Sequence, residues 1–153
     1  MSVAFRREGD DEHLEPKFEI PIPPGPNRVT ARGLAQIHAK GAELEAELAA
    51  AGGEEAQKPI RRQLRYWHTR QTTAELMPLP AGDVVEFGCK VLFRLNGKER
   101  SVTLVGDDEA DPAAGLISAS APLARAMLGA EVGEYVSFGG REDAIEILDL
   151  LLT

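Results

Sequence analysis

The stretch that decides the fold is VGDDEADPAAGLISASAPLARAMLG, residues Val105–Gly129. It contains the end of a strand, an acidic loop, a short strand and the start of a helix. The loop is rich in Asp, Gly and Pro, which favour turns. Pro122 suits the first position of a helix, where its missing N–H costs nothing, and Gly129 is a typical helix stop. The stretch therefore predicts a strand, a loop, the short strand Leu116–Ser118 and a helix, in that order.

Alternating apolar residues on both sides of this stretch predict further strands. The dipeptide Asn96-Gly97 is a strong signal for a tight hairpin turn, and Gly139-Gly140 marks a second turn. We expect four or five antiparallel strands with one helix on a face, which is an α+β domain. Its strands, besides Leu116–Ser118, are predicted at residues 84–95, 100–106, 134–138 and 144–150. We assign residues 78–153 to this domain.

Residues 30–77 carry a helical pattern instead. Thr30 is a good N-cap residue. Two apolar seams follow, each with alternating spacings of three and four residues, and a glycine turn separates them. The second helix is predicted to begin near Pro59, a tolerated first-turn position. The pattern predicts an antiparallel helical hairpin, a short coiled coil. The first seam is Leu34, Ile37, Gly41, Leu44 and Leu48, and the second is Ile60, Leu64, Trp67, Gln71 and Ala74.

The first 29 residues form a third part. They are acidic and then proline-rich, without usable periodicity, so we expect an extended or partly disordered N-terminal arm. The apolar residues Phe18, Ile20 and Ile22 alternate. A short edge strand, or a strap across the domain, is therefore left open.

The composition limits the classes of function. A chain of 153 residues can form one compact domain with a small appendage. The net charge is −8, and residues 78–153 hold 6 Lys and Arg against 13 Asp and Glu. This acidity disfavours binding to duplex DNA, so no direct sequence-specific DNA binding is expected. A basic protein surface is the better partner.

The single cysteine and the hydropathy indicate the compartment. Cys89 is alone and cannot form an internal disulfide, which is typical of a reducing cytoplasmic location. No apolar run is long enough to cross a bilayer, so no membrane partner is expected. Three scattered histidines and one cysteine give no metal-ligand spacing, and no metal site is predicted.

A set of positions across residues 83–150 resembles the C-terminal domain of the bacterial transcript-cleavage factors GreA and GreB. The resemblance implies an FKBP-like fold without isomerase activity, and a protein that is not an enzyme. It also implies docking on the rim helices of the RNA polymerase β′ subunit, at the secondary channel. The matching positions are Val85, Phe87-Gly88, Val105-Gly106, Glu109-Ala110-Asp111, Gly115, Ile117-Ser118, Pro122-Leu123-Ala124, Ala126, Leu128-Gly129 and Val132-Gly133.

Carried over by position, the resemblance also implies which residues bind polymerase. They are Ser118, Ser120, Ala121 and Pro122, flanked by the acidic loop residues Asp108, Glu109 and Asp111. The family usually has Ser immediately before the proline, where it can cap the helix, and this chain has Ala121. Ser120 could take over part of that role. The alternative for Glu109 and Asp111 is a solvated turn held by local side-chain hydrogen bonds.

The hairpin resembles the family only in outline. GreA and GreB carry a tip motif like DLSENAEY, whose carboxylates help hold a second Mg²⁺ in the polymerase active site, and the metal activates water. No such motif occurs here. Each helix has about twenty residues and extends about 30 Å, which is more similar to Rnk, a short-hairpin relative that binds polymerase without cleaving. Glu54 and Glu55 are the only acids placed to imitate the tip.

These observations predict a regulator of transcription elongation that binds RNA polymerase at the secondary channel and acts by occupancy. We expect no catalytic residue and no cofactor, apart from a Mg²⁺ shared with polymerase if the tip glutamates take part. Three alternatives stay open. One is a true cleavage factor that uses Glu54 and Glu55, and another is a prolyl isomerase, suggested only by the expected fold. The third is a helix-mediated dimer or adaptor, in which the two seams pair between chains.

Overall fold

The computed structural model describes residues 19–152. Within this range the chain forms two compact units. One combines residues 19–25 with 37–73, and the other combines residues 26–36 with 74–152. The expected boundaries after residues 29 and 77 stay a prediction. Residues 26–36 group with the C-terminal unit, although the sequence pattern assigned them to the arm and the hairpin.

The two predicted helices are present. Helix α1 spans Ala31–Ala50 and helix α2 spans Glu54–Thr73. Ile37 and Leu44 of the first seam are 1% and 0% exposed. Gly41 is also buried, but a Cβ there would meet only Oε1 of Gln71, at 4.0 Å, which is an ordinary contact, so the packing of the helices does not depend on a glycine at this position. No helix among the described residues combines the length and the apolar character needed to cross a membrane.

The expected start of the second helix was wrong. Helix α2 begins at Glu54, and Pro59 lies inside it. The backbone N–H of Gln57 already donates to the carbonyl of Gly53, at 3.0 Å. Glu54 and Glu55 suit the first turn because the helix dipole favours negative charge there. The glycine turn and these acids therefore determine the start, and the proline removes one later hydrogen bond.

The alternating residues before the first helix form no strand. Ile20 and Ile22 are exposed and belong to no strand, and Phe18 lies outside the described residues. Glu19 instead contacts helix α2, accepting two hydrogen bonds from the Arg65 guanidinium at 2.7 and 2.6 Å. These hydrogen bonds lower the pKa of the Glu19 carboxyl.

The C-terminal unit contains two sheets. Strands β1 (Arg28–Val29) and β2 (Glu75–Leu76) pair in parallel, a pairing that the sequence did not predict. The second sheet has five strands in the order β5-β4-β3-β7-β6. Helix α3 is short, at Pro122–Met127, and a 3₁₀ turn occupies Pro112–Ala114. The five strands are β3 (Cys89–Leu95), β4 (Lys98–Val105), β5 (Leu116–Ser118), β6 (Tyr135–Phe138) and β7 (Arg141–Leu152).

The predicted α+β class is confirmed, with one difference in the sheet. Asn96 and Gly97 have φ angles of 54° and 76°, as the tight β3–β4 turn requires. Strand β5, however, pairs with β4 in parallel, not antiparallel. The loop between them runs back along β4 before β5 begins, so the two strands cannot form a hairpin.

One face of the five-stranded sheet carries the main core. Val91 and Phe93 of β3, together with Leu104 of β4, are 0% exposed and pack with Met127 of helix α3. Successive residues of a strand point to opposite faces, so Thr103 and Val105 lie on the other side of the sheet. Residues on both faces of β4 are therefore covered by other parts of the C-terminal unit.

Cys89 is a buried member of this core, with 0% exposure. Burial raises the pKa of its thiol, because the thiolate would lose its hydration. The neutral thiol is thus favoured in the folded state. Its contribution to stability is present below the ordinary thiol pKa of about 8.5 and is lost as the pH rises above that value.

We expect Cys89 in the folded protein to react with Ellman's reagent at pH 8 at least about a hundredfold more slowly than Cys89 in the unfolded chain. The thiolate is the nucleophile, and burial both disfavours the thiolate and shields it from the reagent. Reaction progress with and without guanidinium measures the ratio. As a control, Ser137→Cys places a thiol at an exposed position of β6 and should react quickly. Equal rates for Cys89 and the control thiol would contradict the burial.

Candidate functional site

Asp107, immediately after β4, brings two of the predicted docking residues together. Its Oδ1 accepts hydrogen bonds from the hydroxyls of Ser118, at 2.5 Å, and Ser120, at 3.2 Å. The two hydroxyl oxygens are 2.8 Å apart, and the backbone N–H of Ser120 donates to Ser118 Oγ at 3.1 Å. We call Asp107, Ser118 and Ser120 the Asp107 cluster. Asp107 belongs to the acidic loop that was expected to flank the docking residues, but no role of its own was predicted for it, although its position as the first acid after the strand is a usable signal.

The backbone holds this cluster at the end of the sheet. The N–H of Ala119 donates to the carbonyl of Val105 at 2.9 Å, which extends the β4–β5 pairing by one bond. The N–H of Ala121 donates to the carbonyl of Ser118, also at 2.9 Å, and closes a turn before helix α3. Ser120 and Pro122 remain exposed on this turn. The loop is therefore fixed in shape and open to a partner.

Helix α3 begins without a side-chain cap. Ala121 is its N-cap residue and has no oxygen to offer, while Pro122 follows at the first helical position. The carbonyl of Ala121 still accepts the first helical hydrogen bond, from the N–H of Arg125 at 2.9 Å. The expectation that Ser120 could take over the capping role is not met, because its hydroxyl bonds within the Asp107 cluster.

We expect Ala121→Ser to stabilise the protein by about 1 kcal/mol, the usual value of an N-cap hydroxyl. The measurement is the free energy of unfolding from a denaturant titration. Ala119→Ser is the matched control, since it adds the same hydroxyl two residues earlier in the loop, away from the N-cap position. An equal gain from both variants would mean that capping is not the cause.

Glu109 makes its contacts elsewhere. It is 8% exposed, and its Oε1 accepts a hydrogen bond from Thr30 Oγ1 at 2.6 Å. Its Oε2 lies 3.9 Å from Nε of Arg32. The structure therefore joins Glu109 to the segment before and within helix α1, and not to the Asp107 cluster. The alternative of a solvated turn with local side-chain bonds is wrong for Glu109, because its partner is 79 residues away in the chain.

The other two acids of the loop are more open. Asp108 is half-buried and Asp111 is exposed. The backbone of Asp111 pairs with that of Leu116, with N–H to carbonyl distances of 2.7 and 3.1 Å. This pairing closes the loop around the 3₁₀ turn. Of the acids predicted to flank the docking loop, Asp108 and Asp111 keep exposed side-chain area and Glu109 does not.

The Glu109 contact requires two glycines. Thr30 caps helix α1, as predicted, by accepting the N–H of Gly33 at 2.9 Å while its hydroxyl donates to Glu109. A Cβ on Gly33 would lie 2.7 Å from Oε1 of Glu109. A Cβ on Gly106 would overlap the backbone carbonyl oxygen of Arg28. The chain before helix α1 and the loop after β4 are thus in direct backbone contact.

We expect Gly106→Ala to lower the free energy of unfolding by about 2 kcal/mol, within the range usual for overpacking. The cause is steric, because the added Cβ meets backbone and not a movable side chain. Gly52→Ala is the control, since a Cβ there meets nothing within 4 Å. Thermal and denaturant unfolding measure both variants. A Gly106→Ala protein as stable as the control would contradict the close approach.

The two glutamates expected at the hairpin tip lie in the first turn of helix α2. Oε2 of Glu54 is 3.5 Å from Nη1 of Arg61, and Oε1 of Glu55 is 3.7 Å from Nζ of Lys58. Neighbouring helix positions are rotated by about 100°, so the two carboxylates diverge. Among residues 19–152, no group of three or more His, Cys, Asp or Glu side chains could hold a metal ion.

Comparison with known proteins finds relatives of the C-terminal unit. Residues 79–150 match the family model described as transcription elongation factor, GreA/GreB, C-terminal. A transcription elongation factor GreA of Rhizobium leguminosarum bv. viciae is 42% identical over 74 residues, which cover 46% of this chain and 47% of that protein. The GreA of Nitratidesulfovibrio vulgaris is 38% identical over 86 residues, or 54% of this chain and 53% of the relative.

The chain spans about half the length of the curated relatives it matches. Among solved structures, the transcription elongation factor GreA/GreB of Nitrosomonas europaea aligns over 84% of this chain and 99% of its own chain, with 22% identity and a TM-score of 0.39. The family assignment depends on the sequence match of residues 79–150 and not on that structural likeness. Residues 79–150 of this chain are therefore a C-terminal domain of the GreA/GreB type.

Proposed function

We propose that this protein binds RNA polymerase through its C-terminal domain and regulates transcription elongation from the secondary channel. On the polymerase, the contact surface is the rim helices of the β′ subunit. On this protein, it is the loop of Ser118, Ser120, Ala121 and Pro122, with Asp108 and Asp111 beside it. Such a partner would place the protein in the cytoplasm. The observation that carries the proposal is the Asp107 cluster, a preformed loop within the domain that matches the family.

Preorganisation supports this site. A loop already held by hydrogen bonds loses little conformational entropy when it binds. Here Asp107 fixes both hydroxyls, and the backbone bond from Ala119 to Val105 fixes the chain between them. Exposed Pro122 and Ser120 then present a rigid edge to the partner.

Charge supports the same partner. Residues 78–153 hold 6 basic and 13 acidic side chains, so the domain attracts a basic protein surface and repels nucleic-acid phosphate. Asp108 and Asp111 lie in the loop that leads to the docking residues and keep side-chain area in contact with solvent. Glu109 is not included in the proposed contact surface, because it is buried against Thr30.

We also propose that the protein is not an enzyme and acts by occupying the channel. Glu54 and Glu55 diverge on helix α2 and lie beside Arg61 and Lys58. Exposed pairs of this kind are weak, so they would not prevent contact with a metal by themselves. Their diverging directions are the stronger reason why they do not form a chelating pair for Mg²⁺.

The direct test is RNA cleavage in backtracked polymerase complexes, with this protein alone and with a genuine cleavage factor. Alone, it should leave cleavage at the basal rate. Added in excess, it should suppress the cleavage that the other factor stimulates, because both need the same channel. Stimulation by this protein alone, lost in a Glu54→Ala and Glu55→Ala double variant, would support the cleavage-factor alternative instead.

Asp107→Ala should weaken this suppression about tenfold, since it removes the acceptor of two hydrogen bonds from the docking serines. Asp83→Ala is the control, an exposed acid of the same domain outside the docking loop. Melting curves of both variants check that the domain is folded. If both variants compete like the unaltered protein, the docking assignment is wrong.

A further inference from the structure

A pocket lies on the face of the five-stranded sheet that is opposite the main core. Its volume is about 670 Å³, within the range of sites that bind small ligands or peptide side chains. Thr103, Val105 and Leu116 of the sheet line it, and the segment Leu76–Pro80 forms a wall. Thr30, Arg32 and Glu109 line it as well. We call this the linker pocket; all of its lining residues belong to the C-terminal unit.

The wall of the linker pocket is apolar and open to water. Leu79 is 84% exposed and Leu76 is 58% exposed, the two largest values among the exposed large hydrophobic residues that the structure describes. Met77 and two prolines stand between and beside them. Isolated exposed leucines are common, but leucines that line a cavity mark a surface that gains by being covered.

The backbone beside the pocket offers an unpaired strand edge. The N–H groups of Glu75 and Met77 donate to the carbonyls of Asn27 and Val29, at 2.8 and 3.0 Å. Successive N–H groups of a strand point to opposite sides. The backbone N–H of Leu76 therefore points away from β1, to the other edge of β2. Strand β2 has only β1 as a neighbour within residues 19–152. An extended segment can add to such an edge and place alternate side chains in a neighbouring pocket.

The charges around the pocket indicate whether a partner segment should be basic or acidic. Within the lining, Arg32 and Glu109 lie 3.9 Å apart and offset each other. Next to the lining segments in sequence are Glu75, Glu86 and Asp108, and Arg28 of β1 stands opposite Glu75. Residues 78–153, which supply most of the lining, hold 6 basic and 13 acidic side chains. A segment with basic residues beside its apolar anchor is therefore the complementary partner.

We propose that the linker pocket binds an extended, basic peptide segment of another protein, which pairs with the edge of β2 and places an apolar side chain against Leu79. This site shares no residue with the Asp107 cluster. Asp108 is the one residue that both proposals use, and Leu79, which the test changes, lies outside the docking loop, so the inference can fail without affecting the proposed polymerase docking.

The test is fluorescence anisotropy of a labelled heptapeptide, Lys-Arg-Leu-Val-Leu-Arg-Lys, titrated with the full chain. Saturable binding is expected. A peptide with Glu in place of each Lys and Arg, and one with Ser in place of each Leu and Val, should each bind at least about tenfold more weakly. Equal binding of the acidic peptide, or no saturation with any peptide, would overturn the proposal.

Two matched variants locate the site. Leu79→Ser removes the apolar contact without changing the charge and should weaken binding about tenfold or more, and the high exposure of Leu79 means that the fold should tolerate the change. Val132→Ser makes the same type of change at a residue that is 53% exposed and outside the lining, and it should leave binding unchanged. Equal effects of both variants would overturn the location.

A final control concerns the occupant. Sedimentation of the protein without peptide should give a concentration-independent monomer. A concentration-dependent dimer that Leu79→Ser abolishes would overturn the proposed occupant, because a second copy of the chain would then cover the pocket.

Discussion

The contact between the loop after β4 and the chain before helix α1 is the constraint on which the rest of the C-terminal unit depends. Gly106 lies against the Arg28 carbonyl, and Glu109 accepts the Thr30 hydroxyl that also caps the helix. Between them, Asp107 points to Ser118 and Ser120. One short acidic loop therefore holds the start of helix α1 on one side and the candidate docking loop on the other, so a change in its backbone would affect both.

The predictions that succeeded rest on local signals. Asn96-Gly97, Thr30 and Pro122 each act within a few residues, and each marks a turn or helix start as expected. The failures have a different cause. The parallel pairing of β5, the β1–β2 sheet and the Thr30 partner of Glu109 join segments that are not neighbours along a hairpin, and periodicity carries no information about such pairings. For Pro59, a competing signal from glycines and acids determined the helix start.

At the candidate site, too, the sequence indicates the local loop but not the contacts between distant segments. The resemblance assigned docking to a loop whose two serines do come together in space, and the docking role itself stays a prediction. It gave no means of telling which acids of the loop are buried in the fold and which keep exposed side-chain area. Asp107 and Glu109 are two residues apart and of similar chemistry, yet Asp107 holds the two candidate docking serines and Glu109 is buried against a helix start. Only the contacts of each carboxylate distinguish these roles.

The C-terminal unit is discontinuous in sequence, since it groups residues 26–36 with residues 74–152, and residues 37–73, which form most of the helical hairpin, are inserted between them. This arrangement has a consequence for the order of folding during synthesis. Helices α1 and α2 need only contacts between nearby residues and can form as soon as both have left the ribosome. The segment before helix α1 can pair with β2 once residues 75–77 are made, but its contacts with Gly106 and Glu109 must wait until these are made, about 80 residues after the segment itself, at a synthesis rate of about 5–20 residues per second. The first residues of the unit to be synthesised therefore complete their native contacts only after the loop that follows β4 has been made.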